Sequence, residues 1–536
     1  MRSLIFAAML LVHSTSSAAY RVGKIVTKDS EKIIFATESR LGVTAGEQKV
    51  LRSIPFFLSE DNPPSEQRFE EVLVSDVDLA LLGGFQPSTE SWPGSEVRTL
   101  VEQGPSANRI VLTIVGDGYT QQEKEKFFAD AQRVSDDLFG TSTFVSYLSL
   151  FNVYAVFVPS NESGLTDTEP RDTALGLYRT PAGSKRAIYL DNVTAAERAL
   201  ALAPAQADYP ILLANDGFYG GLGGRYAITT SSKTSGTIVL RHELGHNFGD
   251  VGEEYDGGQV YTGANFSPRA NVSWSQWQTT AQTRVFESKK IMGDYVWKDL
   301  KTGPYKLRFD FPYDGYSFGL QVSTVGWETP NDVSTKIDGK EIPLNGVYHI
   351  DRSFLEPAET VDLARGSHEL LISERIADGN NVLGFAMGWA YPGDYDFTPD
   401  LVGAFSTFND MGRRVGYRPT HDSCLMRNME SKKFCAVDQE NMWIRFLERL
   451  NLIDSLQSSK ADGNQLLVLK TLALNGLEVQ WFKKTSKGYV ELTEAKNSKI
   501  LSPVDVGDYR VKVTFRTPEV RLNSPVMSDV ADISVR

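Results

Sequence analysis

Two histidines four residues apart constrain this chain more than any other feature. His242 and His246 lie in the run Arg-His-Glu-Leu-Gly-His-Asn-Phe-Gly, which we predict to be helical. On a helix this spacing puts both imidazoles on one face, about one turn apart, where they can hold a single metal ion. Glu243, beside His242, can reach a water molecule on the same ion. The motif predicts a zinc site with three protein ligands and one open position, which is typical of a catalytic zinc.

The residues after the motif offer a third ligand. Gly249 follows His246 by three residues and predicts an abrupt helix end that turns the chain back towards the metal. The acidic residues that come next are Asp250, Glu253, Glu254 and Asp256. A bare His-Glu-x-x-His pattern also occurs by chance in ordinary helices. Because the whole chain has only 6 histidines, two of them at this spacing favour the metal site.

The length and charge of the chain limit its architecture and its partners. With 536 residues it is too long for one hydrophobic core and should divide into roughly three or four domains. Its hydrophobic and charged fractions, 41% and 23%, are those of a globular protein. The net charge of -13 argues against a nucleic-acid partner, which would require a basic surface. Nothing in the sequence indicates the oligomeric state.

The N-terminus predicts secretion. Arg2 precedes an apolar run at 4–12 that is too short to span a membrane, and small residues follow up to Ala19. We therefore predict a signal peptide at 1–19 and an extracellular protein, a buried N-terminal strand being the alternative. No later segment is apolar for long enough to cross a bilayer, so we expect no membrane span.

Secretion would expose the chain to disulfide formation and to glycosylation. Cys424 and Cys435 are the only 2 cysteines, and in an oxidising compartment we expect them to form a disulfide, with two free buried thiols as the alternative. Four Asn-x-Ser/Thr sequons are compatible with glycosylation: Asn161, Asn192, Asn265 and Asn271.

Changes in the hydrophobic pattern predict a multidomain protein with an α/β catalytic domain and accessory all-β domains. Strands of the fully buried type at 110–115 and 209–214 alternate with helices, which indicates a helix-covered sheet before the metal motif. The predicted division is a signal peptide at 1–19, an N-terminal β domain at 20–102, the first catalytic part at 103–295, an inserted β-sandwich at 296–392, the second catalytic part at 393–454, a linker at 455–464 and a C-terminal domain at 465–536.

Two further segments have informative patterns. We predict an immunoglobulin-like sandwich at the C-terminus, because Trp481 lies in an alternating strand and Tyr509 lies in a pattern that resembles a tyrosine corner. The glycine cluster at 217–224 lacks the lysine and the spacing of a phosphate-binding loop. We interpret it as a turn into an edge strand beside the metal helix, where an extended peptide could bind by strand addition. A purely structural turn is the alternative.

Six short blocks, in order along the chain, resemble the IgA-peptidase family of metallopeptidases, which is placed among metzincin-like zinc peptidases. The blocks are Gly116-Asp117-Gly118-Tyr119-Thr120, Asp172-Thr173-Ala174-Leu175-Gly176, Tyr178-Arg179-Thr180, Asn215-Asp216 with Tyr219-Gly220-Gly221, His242 through Tyr255, and Tyr417-Arg418-Pro419 with Cys424-Leu425-Met426 and Phe434-Cys435. They cover residues 109–258 and 416–450. The resemblance implies a metzincin-like catalytic fold, a Zn²⁺ cofactor and a protein or peptide substrate.

The resemblance also implies a third metal ligand. The ordinary metzincin pattern has His or Asp six residues after the second histidine, where this chain has Gly252. Members of this family instead have an acidic pair and a tyrosine slightly later, which here are Glu253, Glu254 and Tyr255. We predict Glu253 as the ligand that joins His242 and His246, with Glu254 as the second choice.

Three residues around the metal are further candidates by the same resemblance. Met426 resembles the methionine of a Met-turn, which forms an apolar floor under the metal, and an ordinary core methionine is the alternative. Tyr255 and Tyr417 are candidates to support the oxyanion, although their spacing does not choose between them.

The residues together predict a secreted zinc endopeptidase in which Glu243 acts as general base. One alternative is a secreted binding or adhesion protein with a structural or vestigial zinc site. The intact Glu243 argues against it, because a vestigial site has no need of a general base. A zinc hydrolase acting on non-peptide amides is a third hypothesis. The substrate, the role of the accessory domains and the removal of an N-terminal pro-segment stay open.

Overall fold

The structure is a computed structural model that describes residues 19–27, 30–39, 48–55, 67–75, 78–79, 91–179, 186–257, 261–279, 283–461 and 464–536. The chain divides into a small N-terminal unit and a larger unit that contains everything from residue 90 onwards. The predicted signal peptide lies outside the described residues, apart from Ala19, where the first strand begins. None of the helices in the described ranges is both long and apolar enough to cross a membrane.

The N-terminal unit is one antiparallel sheet with the strand order β2-β1-β4-β3. Its strands are β1 (Ala19–Thr27), β2 (Glu31–Ser39), β3 (Lys49–Pro55) and β4 (Gln67–Ser75). Val22 and Val72 lie opposite each other and are buried, which gives the sheet an apolar face. The next strand, β5 (Glu96–Val101), pairs with a strand of the larger unit, so the predicted boundary at residue 102 is too late in the chain.

The first part of the larger unit is a mixed α/β structure. Its elements after β5 are β6 (Ile110–Asp117), α1 (Lys124–Gly140), β7 (Phe151–Phe157), β8 (Leu177–Tyr178), β9 (Tyr189–Leu190), α2 (Val193–Leu200), β10 (Tyr209–Ala214), β11 (Gly221–Leu222), β12 (Ala227–Thr230) and α3 (Gly236–Gly249). One sheet has the order β11-β12-β10-β6-β7-β5. Its four central strands are parallel and both edge strands are antiparallel. Strands β6, β7 and β10 are buried throughout, as their apolar runs predict.

Helix α1 forms for reasons that are visible in the sequence. Thr120 and Glu123 make a capping box, in which each side chain binds the backbone of the other. The apolar residues that recur at helical spacing, namely Phe127, Ala131, Val134 and Leu138, are all buried. They belong to the same core as Leu244 and Phe248 of helix α3, which packs the metal helix against the sheet.

An all-β insert follows the metal helix. After β13 (Val285–Phe286), its strands are β14 (Lys289–Asp299), β15 (Tyr305–Phe311), β16 (Tyr316–Val325), β17 (Val333–Ile337), β18 (Lys340–Glu341), β19 (Arg352–Leu355), β20 (Gly366–Glu374) and β21 (Val382–Pro392). Two four-stranded sheets, β14-β21-β16-β19 and β15-β20-β17-β18, share one core that includes Trp327. The insert begins with β14 at Lys289, earlier than the predicted residue 296.

The chain segments before and after the insert meet in a small sheet. Strand β22 (Ala404–Phe408) pairs in parallel with β13 and antiparallel with β23 (Arg414–Arg418). Helix α4 (Ala436–Leu447) follows, and its apolar residues at helical spacing, such as Trp443 and Phe446, are buried. The second segment therefore rejoins the structure that carries the metal helix.

The C-terminal strands are β24 (Ile453–Ala461), β25 (Asn464–Thr471), β26 (Leu477–Thr485), β27 (Gly488–Glu491), β28 (Ile500–Leu501), β29 (Gly507–Phe515) and β30 (Ser528–Val535). They form two antiparallel sheets, β24-β25-β28 and β27-β26-β29-β30. The predicted linker at 455–464 is wrong, because β24 pairs with β25 across this segment. The polar side chains of β24 are mostly exposed, which explains why their composition resembles that of a linker.

One carboxylate ties the insert to the metal helix. Asp351 is buried and precedes strand β19. Its Oδ1 atom accepts the backbone N–H of Tyr219 at 2.9 Å, and its Oδ2 atom accepts the hydroxyl of Ser232 at 2.7 Å. The hydroxyl of Ser235, the residue that precedes helix α3, donates to the same oxygen. An acidic group at a helix N-terminus is also favoured by the helix dipole, so the insert helps to fix the start of α3.

Candidate metal centre

Helix α3 presents both histidines to one point. The Nδ1 atom of His242 lies 3.3 Å from the carbonyl oxygen of Leu425, and that of His246 lies 2.7 Å from the carbonyl oxygen of Val251. An Nδ1 that donates to a carbonyl fixes the tautomer whose Nε2 is free to bind a metal. The predicted pair is therefore oriented by backbone groups from two separate loops. Side-chain patterns in the sequence do not reveal such backbone groups.

The helix ends at the predicted place, but a different residue makes the turn. Gly249 is the last helical residue, and Asp250 has the left-handed conformation with φ 51°. The Asp250 N–H donates to the carbonyl of His246 at 2.8 Å and closes the last turn. Aspartate is one of the few residues that adopt this conformation readily. Gly249 instead leaves room for Val251, which would lie 3.2 Å from a Cβ atom at that position.

After this turn the chain places Glu253 opposite both histidines. Its two carboxylate oxygens each lie 3.2 Å from an Nε2 atom, one from that of His242 and the other from that of His246. The ligand atoms of the three residues all lie within 4.8 Å of one another. Glu254, the second choice as ligand, points into a separate buried cluster. The structure thus brings together His242, His246 and Glu253.

The electrostatics of these three residues fit a bound cation. The Oε2 atom of Glu253 is buried and accepts no hydrogen bond from any described residue. Burial raises the pKa of Glu253, but the facing imidazoles outweigh this and hold it well below its usual range. Burial likewise lowers the pKa of His246, and Glu253 more than offsets this, so the pKa is raised to about 9. Two imidazole nitrogens and a carboxylate are donors that suit a catalytic zinc ion.

Glu243 lies beside the three converging groups. It is half-buried and lines the same cavity as His242 and Tyr255. The glycine cluster packs against it, because a Cβ atom on Gly223 would lie 2.3 Å from the Oε2 atom of Glu243. The missing side chain at position 223 therefore provides the space that this carboxylate occupies.

Met426 lies against the middle of helix α3. It is fully buried, and its sulfur would lie 2.7 Å from a Cβ atom on Gly245. The residue before it supplies the carbonyl that holds His242, and the Met426 carbonyl accepts the N–H of Glu254 at 3.1 Å. The turn at Met426 thus contacts both the metal helix and the acidic pair.

The predicted disulfide between Cys424 and Cys435 is wrong, because both are free buried thiols. The Cys424 thiol donates to Oδ2 of Asp438 at 3.1 Å, and its sulfur accepts the N–H of Cys435 at 3.2 Å. Glu254 completes this cluster, whose ligand atoms lie within 4.8 Å of one another. Burial raises the pKa of Asp438 to about 6 and that of Glu254 well above its usual range. These polar neighbours hold the thiols in place. The expectation that two cysteines pair in an oxidising compartment takes no account of such neighbours.

One predicted sequon is also inaccessible in the folded chain. Asn265 is buried, and its amide donates to the carbonyl of Gly252 and to Oε1 of Glu254, both at 3.2 Å. A glycan on this side chain is therefore incompatible with the fold. The other three sequon asparagines are exposed: Asn161, Asn192 and Asn271.

The two candidate oxyanion tyrosines have different positions. The ring of Tyr255 stacks on His242 with 6.2 Å between the centroids, and its hydroxyl accepts a hydrogen bond from Arg186 at 3.2 Å. The hydroxyl of Tyr417 instead donates to Glu287 at 2.9 Å, on the small sheet formed by β22 and β23. The structure brings Tyr255 to the candidate site and does not bring Tyr417 there.

Strand β11 is the outermost strand of the six-stranded sheet, next to helix α3. Part of this edge is already occupied, because the N–H of Gly221 donates to the carbonyl of Arg186 at 3.0 Å and Ala187 forms a bridge with Gly221. A peptide that bound by strand addition would therefore have to pair beyond Gly221. The prediction of peptide binding at this edge stays a prediction.

The insert forms one wall of the cavity beside His242 and Glu243. The residues that it contributes are Tyr295, Gln321, Arg352, Phe354, Phe385 and Met387. Arg186 and Tyr219 face them from the first catalytic part. These insert residues could not be predicted from the sequence, because no local pattern marks a residue that approaches from a distant part of the chain.

Residues 99–314 match the family model described as IgA Peptidase M64. No curated protein matches the chain significantly. Among solved structures, the chain is similar to a β-glucuronidase from Ruminococcus gnavus in complex with D-glucaro-d-lactam, at 11% identity and a TM-score of 0.12 over 44% of this chain and 36% of that chain.

The chain is similar to the same low degree to the structure of a β-glucuronidase from Dictyoglomus thermophilum. Its identity is 8% and its TM-score 0.13, over 48% of this chain and 44% of that chain. The chain thus spans less than half the length of either enzyme. TM-scores of this size support no inference about fold or activity.

Proposed function

We propose that this chain, whose residues 99–314 belong to the IgA Peptidase M64 family, is a zinc-dependent endopeptidase. The family match supports a peptidase with a protein or peptide substrate. One observation carries the metal assignment: the Nε2 atoms of His242 and His246 converge on Glu253 while backbone carbonyls hold both Nδ1 atoms. Zinc is the ion most often held by such a donor set in hydrolytic enzymes.

The proposed mechanism assigns a proton path to the residues of the cavity. His242, His246 and Glu253 would hold the ion, which would supply a Lewis acid that polarises the scissile carbonyl and acidifies a water molecule. Glu243 takes a proton from the attacking water and delivers it to the nitrogen of the leaving amine. Tyr255 accepts a hydrogen bond from Arg186, so its own proton is free to stabilise the oxyanion that develops on the carbonyl.

The same proposal includes a metzincin-like catalytic domain, an immunoglobulin-like C-terminal domain and secretion of the protein. The position of Met426 against helix α3 supports a Met-turn and a metzincin-like catalytic domain. For the C-terminal domain, the hydroxyl of Tyr509 donates to the carbonyl of Asp505 at 3.1 Å, which supports an immunoglobulin-like sandwich with a tyrosine corner. The sequence at 1–19 supports secretion.

Incubation of the purified full chain with a quenched peptide library tests the proposal. We expect internal cleavage of peptides that stops when a chelator removes the metal and returns when Zn²⁺ is added. Mass spectrometry of the products identifies the bond that is broken. Intact peptides under all conditions would favour a binding protein, and cleavage of other amides alone would favour a different hydrolase; either result contradicts the proposal.

Alanine at position 223 is expected to displace the Glu243 carboxylate, which a Cβ atom there would approach to 2.3 Å. A shift of about 1 Å in a catalytic group can cost roughly 10²-fold in rate, so we expect a loss of turnover of this order in the Gly223→Ala variant. The matched control is Gly217→Ala in the same cluster, where nothing lies within 4 Å of the added Cβ atom. Equal turnover numbers for the two variants would show that Gly223 does not position Glu243.

A further inference from the structure

The cavity beside Glu243 has an excess of positive charge. Three arginines line it: Arg186, Arg352 and Arg427. Its acidic residues are Glu243 and Asp256. The Asp256 carboxylate accepts the indole N–H of Trp389 and the N–H of Phe408, both at 2.8 Å, and lies 3.4 Å from Arg427. Asp256 thus pairs with Arg427 and also lies 3.7 Å from Arg418, so it forms no ion pair with Arg186 or Arg352.

Arg352 is a buried cation that forms no ion pair with a carboxylate of the described part of the chain. Only 6% of the residue is exposed. Its Nε atom donates to the Ser323 hydroxyl at 2.8 Å, its Nη1 atom donates to the Tyr219 hydroxyl, and the guanidinium carbon lies 4.6 Å from the centre of the Phe354 ring. Among the described residues, no carboxylate oxygen lies within 4.0 Å of this guanidinium. Burying a charge without its opposite is costly, so a group that supplies the missing charge would bind here favourably.

Arg186 faces the same cavity from the first catalytic part. Its Nη2 atom donates to the Tyr255 hydroxyl at 3.2 Å. No described carboxylate lies within 4.0 Å of this guanidinium either. Hydroxyl and aromatic groups orient a guanidinium without neutralising it. Two guanidiniums, one from each wall, are therefore available to a negatively charged group.

We propose that Arg186 and Arg352 form a carboxylate subsite that selects substrates with an acidic residue close to the scissile bond. This inference rests on the proposed peptidase function, because the subsite lines the same cavity as His242 and Glu243. Guanidinium groups bind carboxylates through paired N–H···O bonds, and these charge-assisted bonds strengthen where aromatic walls exclude water. The free C-terminus of a peptide offers the same chemistry, so the experiment separates this source from an Asp or Glu side chain.

Matched peptide pairs test the subsite. A cleaved library peptide is resynthesised with Glu or Gln at each of three positions on either side of the scissile bond, and each pair is made with a free and an amidated C-terminus. We expect kcat/KM to favour Glu over Gln by about 10- to 100-fold at one position, the range of a charge-assisted hydrogen bond. Equal values at every position would overturn the proposal. A preference that depends on the free C-terminus would assign the subsite to the chain end instead.

Arginine variants assign this selectivity to the two residues. We expect the Glu-to-Gln ratio of kcat/KM to fall towards one in Arg352→Gln and in Arg186→Gln, while Arg510→Gln, at an exposed ion pair of the C-terminal domain, keeps it. The ratio within one variant cancels any general loss of turnover. Because Arg352 is buried, Arg186→Gln, at a half-buried position, keeps the test valid if the first variant fails to fold. An unchanged ratio in a folded arginine variant would overturn the assignment.

Binding separates a failure of this inference from a failure of the proposed function. Calorimetry with the Glu243→Gln chain, whose turnover we expect to be strongly reduced, should show tighter binding of the Glu peptide than of its Gln partner. If no peptide is cleaved in a chelator-sensitive way, the peptidase proposal fails. If Glu and Gln peptides are cleaved and bound equally well, the peptidase proposal stands and only the carboxylate subsite fails.

Discussion

Replacing Glu243 by glutamine is expected to lower kcat/KM for a cleaved peptide by about 10²- to 10⁴-fold, while the bound metal stays in place. Glutamine has almost the same shape, but its amide cannot take a proton from water. The groups that converge on the metal position are His242, His246 and Glu253, and the substitution removes none of them. Peptide cleavage gives the activity, and metal content per chain measured by plasma mass spectrometry gives the occupancy.

Glu448→Gln is a matched control for this substitution, because Glu448 is exposed at the end of helix α4. It should leave both activity and metal content unchanged. Full turnover in Glu243→Gln would contradict the role of Glu243 as general base. Loss of the metal in that variant would instead make Glu243 a ligand.

The second large effect is expected from substitution of the third metal ligand, for which Glu253 and Glu254 are the two candidates. Glu253→Gln is expected to lose both the metal and the activity, because Glu253 is the carboxylate that faces the two imidazoles. A hydrogen-bonding partner of a ligand is worth roughly 10- to 100-fold in metal affinity, and loss of the ligand itself should exceed this. Metal content after gel filtration and the melting temperature with and without chelator measure the effect.

Glu254→Gln serves as the control and is expected to retain the metal. Burial raises the pKa of Glu254 well above its usual range, so this site disfavours a charged carboxylate, and we expect it to accept a neutral amide of the same size. If Glu254→Gln lost the metal while Glu253→Gln kept it, the assignment of the third ligand would be reversed.

The parts of the site that could be predicted from the sequence are those set by local geometry. Helical periodicity alone places His242 and His246 on one face, and Glu243 follows from its position next to the first histidine. Glu253 depends on a turn whose direction is set by Asp250, and the sequence offered four acids in that region. A resemblance to a family was needed to choose among them, because spacing alone does not fix the path of a loop.

Predictions that depended on composition were less reliable than those that depended on periodicity. The strand at β10 (Tyr209–Ala214) was predicted from a continuous apolar run and has the expected bounds. The segment 455–464 was predicted as a linker from its polar residues, but exposed strands of a hairpin have the same composition. The disulfide between the two cysteines is predicted from the expected oxidising compartment alone. Whether two thiols pair, however, is decided by the groups around each of them in the folded chain.

The attachment of the insert through Asp351 has a consequence for how such a protein can diversify. The anchor Asp351 and the cavity wall that includes Arg352 lie in one uninterrupted stretch at 289–392, whereas His242 and His246 lie outside it. Recombination that exchanged this stretch would carry in a new wall together with its own attachment point. The wall that carries Arg352 could thus be inherited separately from the proposed metal ligands, while Arg186, on the facing wall, would stay with them.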